Sequence, residues 1–439
     1  MQGYIDPARI PFKVQAVASA LKEGGGKPFI VGGPIRDIML GKNPSDWDIA
    51  VDLSPGQVLR IFPGACTVGI QYGRVSLGDV DVVSLRAEKE YADRRHPDEV
   101  TFGVSIEKDL ERRDFTVNAM AWDPFSGELF DPYGGLNDLR HRTLTCVGEP
   151  LVRFQEDPLR ILRAVRFKNT LGFNLEPGVV QAISESKGLL GQLSGERIFM
   201  ELRQLLLSPS VYRGIIDLYD YGLSSIVLPE IARAPEAIAK ALSFCSPELT
   251  SRLAVLLGVR CVGLPGCEDM EELKARFNLP AAMFQDVKWL ALNCSPEVIL
   301  NKDTLPGAWQ RLWKDEPEFW GDPGYIIRRI VYHWGAKQLE RLLDVKQAIW
   351  RGMGNTGVPR GCLFLASGIW ISERNWPLDF QDFRVALGGD DIMELLDIKE
   401  GHAVGQALEY LEEMALRFPD MNDKESLSKI LLEWWNRDR

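Results

Sequence analysis

The amino-acid sequence predicts an α+β fold, with a small head of mixed strands and helices followed by a long all-helical remainder. Three observations carry that expectation. Residues 27–41, "KPFIVGGPIRDIMLG", read as an apolar strand, a glycine turn and a short helix. Residues 45–53, "SDWDIAVDL", alternate polar and apolar with the period of a strand. From about residue 150 the apolar period becomes that of helices, and strand-like runs grow rare.

The elements follow in order. Pro34 opens the first helix, where a missing N–H costs nothing, and Gly41 ends it. Residues 54–62, "SPGQVLRIF", form a second helix capped by Ser54. Residues 66–77, "CTVGIQYGRVSL", and 80–86, "VDVVSLR", are strand-like. A polar stretch then runs to about residue 113, and "FTVNAMAWD" and "GELFDPYGG" read as a last strand and an exit turn. Helical segments succeed one another at 157–173, 177–190 and 195–208. "VPRGCLFLASGIW", 358–370, carries no period that assigns it, and the Trp-rich stretch 309–350 is expected to pack between helices.

Bulk properties narrow the function. A net charge of −11 excludes a chain that binds nucleic acid by overall basicity, although screening lets a local positive strip hold a polyanion. Seven cysteines without a C-x-x-C pair point to a reducing compartment, and four dispersed histidines offer no zinc site. No segment is long and apolar enough to span a bilayer, so a cytoplasmic enzyme is expected.

In the strand at 45–53, Asp46, Asp48, Ala50 and Asp52 share one face, while Trp47, Ile49, Val51 and Leu53 share the other. The second face can pack on a core while Asp46 and Asp48 converge in the open. Two carboxylates that close repel unless a cation lies between them. Hard oxygen ligands favour Mg²⁺, which takes one or two carboxylates and fills its shell with substrate phosphates. Upstream, Gly32 and Gly33 let backbone amides approach an anion, and Arg36 adds a fixed cation for a triphosphate. Each half of this arrangement alone has a bland reading as a solvated strand face or a simple turn. Their combination at this spacing suits nucleotidyl transfer.

The run Gly-Gly-x-Ile-Arg-Asp-x-x-Leu-Gly followed by Asp-x-Asp resembles the first motif of the class II tRNA nucleotidyltransferase and bacterial poly(A) polymerase family. "RRDFTVNAMA", "DPYGGLNDL", "EDPLRILRAVRF" and "GERIFMEL" resemble further motifs in the family's order. "GGDDIMELLDIKEGHAVGQALEYLEEM" resembles its tail segment, with His402 where Pro is common. The resemblance is close in the first half and thin in the second. It implies a polymerase-β-like nucleotidyltransferase head (1–147), then an all-α neck for base selection (148–210), body (211–330) and tRNA-binding tail (331–439). It implies Mg²⁺ on Asp46 and Asp48, CTP and ATP as substrates, and the tRNA 3′ end as partner, with no protein partner.

On the helix at 157–173, Arg160, Arg163 and Arg166 form a drifting stripe, with Ile161, Leu162 and Val165 on the other side for packing. A carboxylate only accepts hydrogen bonds and a guanidinium only donates. Cytosine and adenine both offer an amino donor beside a ring-nitrogen acceptor, so an Asp157–Arg160 pair would accept C and A and reject U and G. Asp157 before Pro158 is equally an ordinary helix cap. The resemblance implies that Asp157 and Arg160 read the base, that Arg163 and Arg166 help hold the nucleotide, and that Arg113 binds the triphosphate. Asp81 is a candidate third carboxylate assisting the primer hydroxyl, with Asp79 as its competitor.

Residues 86–102, "RAEKEYADRRHPDEVTF", read as a mobile loop and resemble the family's flexible loop. "EK" stands there in place of Asp-Gly, and His96 in place of an arginine. The motifs together make addition of C, C and A to the tRNA 3′ end the leading expectation. Its rivals are an A-adding enzyme, a poly(A) polymerase and a non-catalytic RNA-binding protein.

Overall fold

The computed structural model describes residues 5–89, 99–261, 268–295, 323–375 and 384–437. They fall into two compact units, 1–232 and 233–439. The first is mixed α+β and the second is helical.

The first unit opens with helix α1 (Phe12–Glu23), strand β1 (Pro28–Val31), helix α2 (Gly33–Met39), strand β2 (Trp47–Val51) and helix α3 (Pro55–Ile61). Ser54 and Gln57 close a reciprocal capping box on α3, as the Ser-Pro start suggests. Strands β3 (Arg74–Leu77) and β4 (Val80–Ser84) follow, then β5 (Arg86–Lys89), β6 (Glu99–Phe102) and helix α4 (Ile106–Glu111). Strands β7 (Ala121–Trp122) and β8 (Leu129–Phe130) complete a six-stranded sheet in the order β3-β4-β2-β1-β7-β8. Only β2 and β4 run parallel within it.

The sheet is buried on both faces. Ile30, Ile49 and Val82 are fully buried on one side, each contributing about 2 kcal/mol of apolar burial. On the other, Phe29, Val31 and Ala50 pack with Ile106 and Leu110 of α4 and with Val147. The acid-bearing face of β2 is thus open only at its start. Asp46 is exposed, Asp48 is half-buried, and Ala50 is covered. Asp52, further along, accepts the Lys27 N–H at 2.6 Å.

Three sequence expectations change. The run 66–77 is a strand only from Arg74, because Gly69 and Gly73 take φ of 92° and 81° and turn the chain through a 3₁₀ helix, Ile70–Tyr72. Residues 115–123 begin with a 3₁₀ turn, Thr116–Asn118, before the two residues of β7. Asp114 closes that turn by accepting the Phe115 N–H at 2.8 Å and Asn118 Nδ2 at 3.1 Å. The expected loop 86–102 starts and ends as the paired ribbon β5–β6. Its centre, 90–98, including the position of His96, lies outside the described residues.

Helix α5 (Gly135–His141) leaves the sheet, and β9 (Thr143–Leu144) later pairs with β10 (Asn174–Leu175). Helices α6 (Pro150–Glu156), α7 (Leu159–Leu171), α8 (Pro177–Ser186), α9 (Gly195–Leu207) and α10 (Val211–Asp220) follow, with the expected helix 177–190 passing into a 3₁₀ helix at Lys187–Gln192. In the second unit, 358–370 falls within the helix Arg360–Asn375. His402 is the first residue of the helix His402–Arg417, a position where Pro and other residues are interchangeable because its N–H lacks an intrahelical acceptor. Buried Glu413 binds Arg329 at 3.1 Å and Arg417 at 2.8 Å. No helix among the described residues is long and apolar enough to cross a membrane.

The "DPYGGLNDL" run supplies a test of the packing. A Cβ on Gly135 would lie 2.3 Å from the Thr116 carbonyl oxygen, whereas Gly134, at φ 74°, has open space around it. Gly134→Ala is expected to cost about 1 kcal/mol for backbone conformation alone. Gly135→Ala is expected to cost up to about 3 kcal/mol from overpacking against backbone. Denaturant unfolding of the two variants checks the order.

Candidate active site

A cavity of about 610 Å³ in the first unit is lined by Gly32, Gly33, Arg36, Asp46, Asp48, Arg113, Asp157, Arg160, Arg163 and Arg166. These are all the site residues singled out from sequence except Asp81 and its competitor Asp79. Arg112 joins them, so six arginines face one space in a chain of net charge −11. A polyanion can therefore be held locally despite the overall charge.

The glycine turn is imposed by geometry. Gly32 has φ 73° and ψ −129°, a region that side chains disfavour. A Cβ there would also lie 2.8 Å from Arg113 Nη1. Arg36, three residues on, donates from Nη1 to Asn118 Oδ1 at 2.7 Å and from Nε to Asp37 at 2.8 Å. Arg113 donates to Asp109 at 3.0 Å from Nη2 and to the Asn118 carbonyl at 3.4 Å. Asp109 is 1% exposed and also takes Arg112 at 2.6 Å. Its burial raises the carboxyl pKa, but the two guanidiniums outweigh that and hold it below the usual range.

Asp46 and Asp48 both open onto this cavity. Asp81 sits directly beside Asp48 across the parallel pair, and accepts Arg74 Nη2 at 2.5 Å and Ser76 Oγ at 2.6 Å. Burial raises the Asp48 pKa, Arg113 and Arg74 pull it down, and the carboxylates of Asp81 and Asp46 push it up further. Asp79 lies elsewhere, paired with Lys13. Among the described residues no group of three His, Cys, Asp or Glu side chains forms a cage by itself. Two carboxylates opening onto one cavity beside a glycine turn and arginines are a donor set that fits a hard cation sharing its shell with phosphate oxygens.

The opposite wall is α7. The arginine face is packed rather than solvated, with Arg160 and Arg166 buried. Asp157 is a cap and a cavity residue at once. Its Oδ1 accepts the Leu159 N–H at 3.1 Å, and both oxygens accept Arg197 Nη2 at 3.1 Å. Arg160 donates to Glu156 at 2.8 Å and to the Arg153 and Arg112 carbonyls. Arg163 pairs with Asp114 at 2.7 Å and with Glu201 at 3.4 Å, and Arg166 with Glu201 at 2.6 Å. Phe167 lies beneath the guanidiniums of Arg166 at 4.0 Å and of Arg36 and Arg163 at 5.2 Å from its centroid.

Sequence reasoning missed Asp109, Asp114, Asn118, Glu156, Arg197 and Glu201. Glu201 had a signal. It falls on the apolar stripe of α9 with Ile198, Leu202 and Leu205, a charge where only a buried partner would make it tolerable. Asp109 had one as well, since Arg112 and Arg113 follow it at the i+3 and i+4 spacing of helical ion pairs.

Asp114 gives a pH test. Burial raises its pKa, but Arg163, Asn118 and the Phe115 N–H outweigh burial and hold it at about 2. The folded value lies below the unfolded one, so its stabilisation is complete above about pH 4 and is lost as pH falls through about 2. The shift corresponds to about 2 kcal/mol. Asp114→Asn is expected to lower stability at pH 7 and to flatten the fall between pH 4 and pH 2, measured by urea unfolding across that window.

Comparison with known proteins agrees with this geometry. Residues 28–145 match a family model described as the poly A polymerase head domain. Residues 172–234 match one described as a probable RNA and SrmB-binding site of polymerase A. A CCA-adding enzyme of Anoxybacillus flavithermus is 40% identical over 233 residues, 52% of this chain and 58% of that enzyme. One from Lactococcus lactis subsp. cremoris is 42% identical over 210 residues, 46% of this chain and 52% of that enzyme. The chain thus spans little more than half the length of the curated relatives it matches. The crystal structure of the Bacillus stearothermophilus CCA-adding enzyme in complex with CTP aligns over 98% of this chain and 99% of that one, with a TM-score of 0.69 and 27% identity. A Thermotoga maritima CCA-adding enzyme complexed with tRNA shares the fold at 19% identity, TM-score 0.56, over 97% of each chain. In its motifs, its head and its fold the chain is thus similar to the tRNA nucleotidyltransferase and bacterial poly(A) polymerase family.

Proposed function

We propose that the chain adds C, C and A to the tRNA 3′ end from CTP and ATP, releasing pyrophosphate. The observation that carries this reading is the single cavity with acids and a glycine turn on one wall and Asp157 and Arg160 on the other. Relatives that align with this chain have been captured with CTP, with ATP and with tRNA.

Asp46 and Asp48 would hold Mg²⁺, which when bound polarises the α-phosphate and offsets charge on the departing pyrophosphate. The amides beside Gly32 and Gly33, with Arg36 and Arg113, bind the triphosphate. Asp81, fixed by Arg74 and Ser76, is poised beside Asp48 to orient the primer hydroxyl. Asp157 accepts from the base amino group and Arg160 donates to the ring nitrogen. Arg163 and Arg166, tied to Asp114 and Glu201, present a rigid cationic floor to the nucleotide. In this scheme residues 1–147 form the catalytic head, 148–210 the selecting neck, 211–330 the body and 331–439 the tRNA-binding tail. The setting is the cytoplasm, where free thiols such as Cys66 persist.

Asp46→Ala and Asp48→Ala are each expected to cut incorporation about a thousandfold or more, with the circular dichroism melt retained. Incubating tRNA lacking CCA with CTP alone is expected to add two cytidines, and none would favour A addition only. Asp157→Ala is expected to lower discrimination of CTP over UTP about a hundredfold, read from single-nucleotide kcat/KM values.

A further inference from the structure

Arg160 is held by Glu156, and Glu156 in turn by Arg153, a side chain that does not line the cavity and whose backbone carbonyl also accepts from Arg160 and from the Asp157 N–H. Arg153 lies on α6, one turn before Asp157. Its carbonyl accepts the Asp157 N–H at 3.2 Å and Arg160 Nη1 at 3.2 Å. Its guanidinium donates in three directions: Nε to the Val147 carbonyl at 2.6 Å, Nη1 to Glu156 Oε2 at 2.8 Å, and Nη2 to the Glu111 carbonyl at 2.6 Å. The same Glu156 oxygen receives Arg160 Nη1 at 2.8 Å, and Arg160 Nη2 reaches the Arg112 carbonyl at 3.0 Å.

The carbonyls of Glu111 and Arg112 end α4, where an α-helix leaves its acceptors without intrahelical partners. Arg153 takes one and Arg160 the other. The backbone carrying Arg113 and Asp114 is thereby fastened to the α6–α7 junction carrying Asp157 and Arg160. Arg160 has five N–H donors, and among the described residues three are engaged in these bonds. That leaves the Nε–H and one Nη2–H to meet a base edge, in an orientation fixed by Glu156 and the Arg112 carbonyl. A guanidinium free to swing would find the acceptor of a wrong base almost as readily as that of the right one. Lysine could not replace Arg153, because a point-like ammonium cannot span three acceptors lying in different directions.

We propose that Arg153 is the positioning residue of base selection, aligning Asp157 and Arg160 through Glu156 and its own carbonyl without touching the nucleotide. The proposal rests on the reading of Asp157 and Arg160 given above.

The test uses full-length wild type, Arg153→Lys and Glu156→Gln. Single-nucleotide kcat/KM is measured for CTP and UTP on tRNA lacking CCA, and for ATP and GTP on tRNA ending in CC, with thermal melts in parallel. Arg153→Lys is expected to lower the CTP:UTP and ATP:GTP ratios about tenfold, and Glu156→Gln to move them in the same direction. A merely structural role would reduce all four nucleotides by one factor and leave the ratios unchanged, and that result overturns the proposal. If Arg153→Lys does not fold, the isosteric Glu156→Gln decides, and unchanged ratios in it overturn the proposal as well. Wild type that discriminates beside variants that discriminate equally defeats the positioning role alone. Wild type that extends nothing, or takes all four bases alike, defeats the functional reading and the proposal with it.

Discussion

The buried carboxylate of Asp114 is the interaction on which the site depends. One oxygen takes Arg163 from α7, and the other takes the Phe115 N–H and the Asn118 amide of the turn that follows α4. Asn118 can serve both neighbours in only one orientation. Arg36 only donates and Asp114 only accepts, so the amide oxygen must face Arg36 and the nitrogen Asp114. A continuous line of charge-assisted bonds then runs from Arg36 through Asn118, Asp114, Arg163 and Glu201 to Arg166. It passes from the glycine turn to α7.

This arrangement resolves a conflict between stability and function. A site for a triphosphate needs clustered guanidiniums, and clustered guanidiniums repel. Arg163 and Arg166 meet that repulsion with Asp114 and Glu201, as Arg112 and Arg113 do with Asp109. Burying a pair in good geometry roughly breaks even, whereas removing one member strands the other at about 3–5 kcal/mol. The carboxylates are thus required by the arginines that the cavity needs. On β2, Asp48 lies between Asp46 and Asp81, and its pKa is raised above all by burial, with Arg113 and Arg74 pulling against the two neighbouring carboxylates.

Much of this was legible in the sequence, for physical reasons. Alternation placed Asp46 and Asp48 on one face of β2, and Gly32 was readable because a helix following a strand at that distance needs a turn that side chains resist. The periodicity of 157–173 gave α7 and its arginines. The partners of those arginines were not legible. Asp114 lies 49 positions from Arg163, and Glu201 lies 38 and 35 positions from Arg163 and Arg166. Periodicity reports which face of an element is apolar, and is silent on which distant charge will meet it. Nor could it show that the acid face of β2 closes at Ala50, since that depends on where α4 lands.

The central claim is that one cavity serves both bases, with phosphates held on the acid and glycine wall and base edges read by the same pair on α7. Equilibrium titration of CTP and ATP, singly and in competition, in the presence of Mg²⁺ tests it most directly. One nucleotide bound per chain, with CTP and ATP displacing each other, is the result expected. Simultaneous binding of both nucleotides at independent sites would contradict it.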